Sequence, residues 1–223
     1  MTEFSSFANQ WHQPDGPLWT LHELHRLRCE FISQHPPLKD LRCVDLACGA
    51  GLMTEWMCQQ QARSVNGYDM SPELLAEAKA RGHNQDLPIH YHQADLRQPL
   101  TGPIQDVICA FEIIEHLSGQ IDNCIQTFLH LSGPHTRLYI SSLNKTLLGR
   151  LVGIHLTEDI LRWLPAGTHQ YEDFCALDTL IDKLSADWVL TDLVGMSYSF
   201  QQQKFVPSTH TDIHYLCCFT RSL

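Results

Sequence analysis

The sequence predicts an α/β fold, a Rossmann-like and mostly parallel sheet with helices on both faces. Two observations carry this. From residue 43 onward, short extended patterns alternate with helical ones, and strand–helix–strand repeats join parallel strands through right-handed crossovers. The run Asp106–Phe111 is also nearly all apolar, as suits a strand buried on both faces. A length of 223 residues accommodates one such domain with short additions, and 43% hydrophobic residues make it globular rather than disordered.

The elements run in order along the chain. A polar, aromatic opening (Phe4, Phe7, Trp11, Trp19) precedes a helix marked by Leu21, Leu24, Leu27 and Phe31, which Pro36-Pro37 ends. Residues 1–38 are thus expected to form an N-terminal cap, and 39–223 the main domain. Cys43–Ala47 reads as the first strand, followed by a glycine turn and a helix from about Leu52 to Gln61. Ser64–Tyr68 is the second strand. Ser71 then caps a helix that has Pro72 at its first position and Gly82 at its close. Ile89–Gln93 and Asp106–Phe111 are the third and fourth strands, Ile121–Leu131 is a helix, and Leu138–Ser142 is the fifth strand. Trp188–Phe200 and Ile213–Thr220 are extended runs joined by a polar stretch without a helix. They predict an antiparallel pair at the sheet edge, giving seven strands with the C-terminal one antiparallel.

A formal net charge of −10 opposes binding to a phosphate backbone, so no nucleic-acid partner is expected. The nine cysteines form no CxxC pair, which points to a reducing, cytoplasmic setting. No stretch has the roughly 18 uninterrupted apolar residues of a transmembrane helix, and the acidic opening lacks the apolar run of a secretory signal.

The carboxyl ends of the strands are where an open α/β sheet binds its ligand. Val44–Gly51 (VDLACGAG) carries small residues after the first strand, with Ala47, Gly49 and Gly51 in the turn and Asp45 just before it. A dinucleotide loop requires glycine at positions occupied here by Ala47, Gly49 and Leu52. Two of the three fail, and Asp45 would repel a pyrophosphate. The expected cofactor is instead a nucleoside carrying a cation, as S-adenosylmethionine (SAM) does. Asp69, after the second strand, suits the ribose hydroxyls, with Met70 against the adenine. Asp95, after the third, suits the adenine amino group, and Phe111, after the fourth, suits the opposite face of the base.

Further segments resemble the ubiquinone biosynthesis O-methyltransferases, the UbiG-type polyprenyl dihydroxybenzene methylases of the class I methyltransferase fold. They are Phe7-Ala8, Trp11, Gly16 and Leu21–Arg28 at the N-terminus, Glu112–His116 (EIIEH), Ser142–Lys145 and Leu164–His169. The resemblance runs through nearly the whole chain. It implies that Arg28 reaches the cofactor's carboxylate from the cap. It also implies a polyprenyl phenol or catechol lipid as substrate, and other quinone-biosynthesis enzymes as partners. Ala47 stands where the family has its first loop glycine, and Phe111 where it often has methionine.

O-methylation of a phenol requires its proton to be removed or masked. Glu112, Glu115 and His116 are spaced i, i+3 and i+4, which one helical turn would place on one face. These candidate catalytic residues could act in two ways. The trio holds a divalent cation, Mg²⁺ or Mn²⁺ by its oxygen ligands and Zn²⁺ by its histidine, which lowers the phenol pKa. Alternatively, His116 acts as general base with Glu115 orienting it. A solvated helix start is a third reading. Finally, residues at about 144–169 read as an amphipathic cover. Leu147, Leu148, Leu151, Ile154, Ile160 and Leu164 recur at helical spacing among Arg150, His155 and Arg162, with Trp163 placed for a headgroup interface. It is either a site of peripheral contact with the inner face of the cytoplasmic membrane or an ordinary lid.

Overall fold

Strand β1 (Arg42–Leu46) lies between two parallel neighbours, β2 (Ser64–Asp69) and β4 (Gln105–Phe111), and no residue from Cys43 to Leu46 is exposed. A computed structural model describes residues 3–85, 87–117, 119–151 and 171–222. Beyond these strands the sheet continues through β3 (Ile89–Gln93), β5 (Ser132–Leu143), β6 (Trp188–Ser199), β7 (Lys204–Ser208) and β8 (His214–Arg221). Its order is β3-β2-β1-β4-β5-β8-β6-β7. β1 to β5 are parallel, and β8 pairs antiparallel with both β5 and β6.

Alternation along the strands feeds two cores. Val44, Leu46, Ile108, Ala110, Leu138 and Ile140 face helices α4 (Ile121–His130) and α6 (Leu177–Leu184). Cys43, Val65, Val107, Cys109 and Tyr139 face α1 (Trp19–Ile32) and α2 (Leu52–Gln59), which contribute Leu27, Phe31, Ile32, Met53 and Met57. Helix α3 (Pro72–Asn84) has Pro72 at its start, and the Ser71 hydroxyl accepts from the Leu74 amide, as its sequence predicts.

The fold class is the one expected, but the strand count is eight rather than seven, and β8 is not the edge. It lies between β5 and β6. The extra strand, β7, falls in the stretch expected to be an unstructured polar connection. The chain turns at Phe200–Gln203, and Lys204–Ser208 pairs back along β6. Three consecutive glutamines hid the turn, and Pro207 argued against a strand, although an edge tolerates it. Gly82 does not close α3. The helix runs on to Asn84, and the Gly82 carbonyl accepts from the Leu87 amide. Helix α6 and the 3-10 turn Glu3–Gln10 had no separate sequence signal. Of the 144–169 cover, only residues through Leu151 are described. Thr146 caps the short helix α5 (Leu147–Arg150) by accepting from the Gly149 amide, and 152–169 lie outside the described residues. No helix among the described residues is long and apolar enough to cross a membrane.

Gly195 sits where β6 is flanked by β8 and the β7–β8 connection. A Cβ there would lie 1.8 Å from the His210 carbonyl oxygen, a backbone atom that cannot swing away. Gly195→Ala is therefore expected to destabilise the protein by at least about 2 kcal/mol, lowering Tm by roughly 4–8 °C. Thermal unfolding followed by circular dichroism checks this.

Candidate functional site

At the carboxyl end of β1 the chain makes a tight turn through three left-handed residues, Ala47 (φ 62°), Gly49 (φ 54°) and Gly51 (φ 95°). Alanine tolerates this conformation less readily than the glycine expected there. At Gly49 the missing side chain also matters for packing, because a Cβ would sit 2.4 Å from Cζ2 of Trp11. The N-terminal segment thus lies directly against the loop. His12 Nε2 reinforces this contact at 2.8 Å from the Ala50 carbonyl.

Asp45 is buried at the end of β1, and desolvation pushes its carboxyl up to about 8 against the opposing pull of Arg28, with Asp69 adding to the rise. Asp69 accepts from the Gly49 amide and from the Ser71 amide, each at 2.8 Å. Both of its oxygens keep a further lone pair. Met70 follows, 45% exposed, and offers an apolar platform beside it. Asp95 is engaged differently from the others. The Arg97 guanidinium grips it at 2.8–3.1 Å and holds its carboxyl low. Phe111 is buried, with the Arg28 guanidinium 5.0 Å above its ring.

Arg28 lies between Phe111 and Glu112, and its visible partner is protein. Nη2 donates to Glu112 Oε1 at 2.7 Å, while Nε is buried without a hydrogen-bond partner. Glu112 follows β4 in a left-handed conformation (φ 49°), which is unfavourable for a side-chain-bearing residue and common at functional sites. Its carboxylate also accepts from the Ser141 hydroxyl at 2.6 Å and lies 2.8 and 3.0 Å from His214 Nε2. His214 and Arg28 hold the Glu112 carboxyl well below the ordinary range despite its burial. Glu115 does the opposite. Burial and the adjacent Glu112 charge push it well above the carboxylate range. Its Oε2 accepts from the Ser142 hydroxyl at 2.8 Å, and Oε1 is buried without a hydrogen-bond partner.

The turn is not the single α-helical face expected. Glu112 precedes a short 3-10 turn, Ile114–His116, in which Glu115 points inward and His116 is exposed. A divalent ion does not fit these side chains as they stand. Glu112 is already paired with Arg28 and His214, Glu115 lies in the interior, and His116 is at the surface. Among the described residues, no trio of His, Cys, Asp or Glu side chains converges as a metal site. His214 carried no sequence signal because it stands alone at the head of β8, far along the chain from any motif. Only the insertion of β8 beside β5 brings it to Glu112.

The buried unpaired Arg28 Nε fits a carboxylate, Asp45 an ammonium and Asp69 a ribose. These three chemistries meet in SAM. A family profile described as a methyltransferase domain matches residues 43–134. The ubiquinone biosynthesis O-methyltransferase of Xylella fastidiosa is 34% identical, with 98% of this chain and 89% of that protein aligned. That of Pelagibacter ubique is 31% identical, covering 99% and 96%. Among solved structures, the magnesium protoporphyrin IX methyltransferase of Synechocystis with SAH bound has a TM-score of 0.70 at 17% identity, covering 98% of this chain and 96% of that one. A SAM-dependent methyltransferase of Mesorhizobium loti has a TM-score of 0.63 at 18% identity, covering 93% and 99%. The fold, the loop and the full-length likeness agree: the chain belongs to the ubiquinone biosynthesis O-methyltransferase family and is a SAM-dependent O-methyltransferase.

Proposed function

We propose that this enzyme methylates a phenolic hydroxyl on a polyprenyl catechol-type precursor of ubiquinone. The observation that carries the substrate is the likeness to relatives of that name over nearly all of both chains. In this reading SAM lies along the carboxyl ends of β1, β2 and β4. Asp45 meets its ammonium, Arg28 Nε its carboxylate and Asp69 its ribose, Met70 and Phe111 flank the adenine, and Asp95 accepts from the adenine amino group while remaining paired to Arg97. The methyl group passes in line from sulfonium to the phenol oxygen, which must lose its proton. We assign acceptance of that proton to the Glu112–His116 turn, with exposed His116 as the group that reaches the substrate. Glu112, tied to Arg28, and the buried Glu115 fix the field beside it. Reversible contact with a cytoplasmic membrane surface belongs to the same reading, since the substrate's tail lives in the bilayer. A strain lacking the gene is expected to accumulate a demethylated quinone precursor, and a normal quinone profile would remove the pathway assignment.

The raised Asp45 carboxyl makes cofactor binding depend on pH. A neutral Asp45 offers no charge to the ammonium, and it ionises as pH rises through about 8. SAM affinity is therefore expected to rise from pH 6 to pH 8, by at most about tenfold per unit, and then level off. Asp45→Asn should bind more weakly with a flat profile, as titration calorimetry would show.

For stability the sign is reversed. The folded-state carboxyls of Asp45 and Glu115 are raised, so their contribution is present at low pH and is lost as pH climbs through the folded values. The cofactor-free protein should have a lower Tm at pH 9 than at pH 6. Glu115→Gln removes the ionisable group while keeping the acceptor for Ser142 and should reduce that difference. Because the amide keeps the packing, any fall in its turnover reports on the proton rather than the fold.

His116→Gln should lower kcat by about 10²–10⁴ and leave the Kd for SAM unchanged. Near-normal turnover of a catechol by this variant would take His116 out of proton transfer.

A further inference from the structure

Glu112 Oε1 accepts from Arg28 Nη2 at 2.7 Å and from the Ser141 hydroxyl at 2.6 Å. His214 Nε2 lies 2.8 Å from the same oxygen and 3.0 Å from Oε2, so it straddles the carboxylate. An ionised carboxylate only accepts, so Nε2 carries the hydrogen. A donor shared by both oxygens fixes the rotation of the carboxylate. Donors to Oε1 alone leave that rotation free.

His214 is itself firmly placed. It opens β8 opposite Leu143 of β5, and it is 5% exposed. The residues just before it are fastened to the chain leaving β5. The Ile213 carbonyl accepts from the Asn144 backbone amide and the Thr211 carbonyl from the Asn144 side-chain amide, each at 2.9 Å. The Asp212 carbonyl accepts from the Thr146 hydroxyl. None of these bonds uses the imidazole, whose Nδ1 is buried without a partner among the described residues. The ring is thus delivered by a clamped strand end, and its hydrogen bonds go to Glu112.

Arg28 stands on the other side of that carboxylate. Its guanidinium is a planar, rigid fork. Nη2 is pinned to Glu112 and the group lies 5.0 Å from the centre of the Phe111 ring. The direction of Nε, buried and unpartnered among the described residues, therefore follows from where Glu112 stands. We propose that His214 is a positioning residue for the cofactor: by fixing the Glu112 carboxylate it aims Arg28 Nε at the carboxylate of SAM. This rests on the reading that Arg28 Nε receives that carboxylate. Hydrogen bonds weaken steeply when misdirected, so a Glu112 free to rotate should cost affinity at the amino-acid end of SAM alone.

Titration calorimetry of the full chain with SAM and with decarboxylated SAM isolates the effect, because the two ligands share sulfonium, amine and adenosine. His214→Leu is expected to weaken SAM binding about tenfold and to leave decarboxylated SAM unchanged. His214→Gln sets an amide donor near the place of Nε2 and should restore most of the affinity, whereas the shorter His214→Asn should not. In an Arg28→Met background, His214→Leu should have no further effect on SAM. Unchanged SAM binding by His214→Leu, or an equal loss for both ligands, overturns the proposal. So do equal SAM affinities in the Gln and Asn variants, a comparison that stands even where the Leu variant fails to fold. The carboxylate reading fails separately, if Arg28→Met binds SAM normally. Weak SAM binding by Arg28→Met beside normal binding by His214→Leu overturns the His214 role alone.

Discussion

The carboxylate of Glu112 holds together the end of the sheet that carries the proposed site. It follows β4, accepts from Arg28 of the N-terminal helix and lies against His214 at the head of β8. Three segments far apart in sequence thus meet on one anion. Charge-assisted hydrogen bonds of this kind are stronger than neutral ones, and burying a charge is tolerable only with such partners. The same anion has a second effect. A carboxylate beside another buried carboxyl raises the second one, so Glu115 is pushed well above the ordinary range in a place where the sequence suggests two charges.

Backbone geometry then decides how these groups share the chemistry. Side chains spaced i, i+3 and i+4 converge only on an α-helix, and here the backbone turns left-handed at Glu112 and then tightens into a 3-10 turn. The two acids and the histidine accordingly face different surroundings: one paired with Arg28 and His214, one buried, and one exposed. Separation of that kind lets neighbouring groups of similar intrinsic acidity take different parts in one proton transfer.

Much of this was legible in the sequence. The strand–helix alternation gave the fold class, and the failed dinucleotide glycines together with Asp45 pointed to a cationic nucleoside. Those signals are local, because each depends on residues within one strand–turn–helix unit. His214 and the true place of β8 were not legible, since pairing between distant strands leaves no mark in either strand alone. β7 was missed for a different reason. Its glutamine turn and Pro207 mimic a loop, and only Gly195, with room for no side chain, hints at a crowded hairpin. The unpaired Arg28 Nε could not be anticipated either, because a buried arginine and a solvated one look alike in sequence.

The position of β8 also bears on how the protein is made. It is translated after β5, β6 and β7 yet lies between β5 and β6. While the chain emerges from the ribosome, β5 therefore has one open edge and β6 has no neighbour on its inner side, a condition that invites wrong pairing with other chains. Only the arrival of His214–Arg221 fills the slot, and the same residues deliver the imidazole to Glu112. Completion of the sheet and assembly of the reactive end are thus one event, so a chain released before that point lacks both.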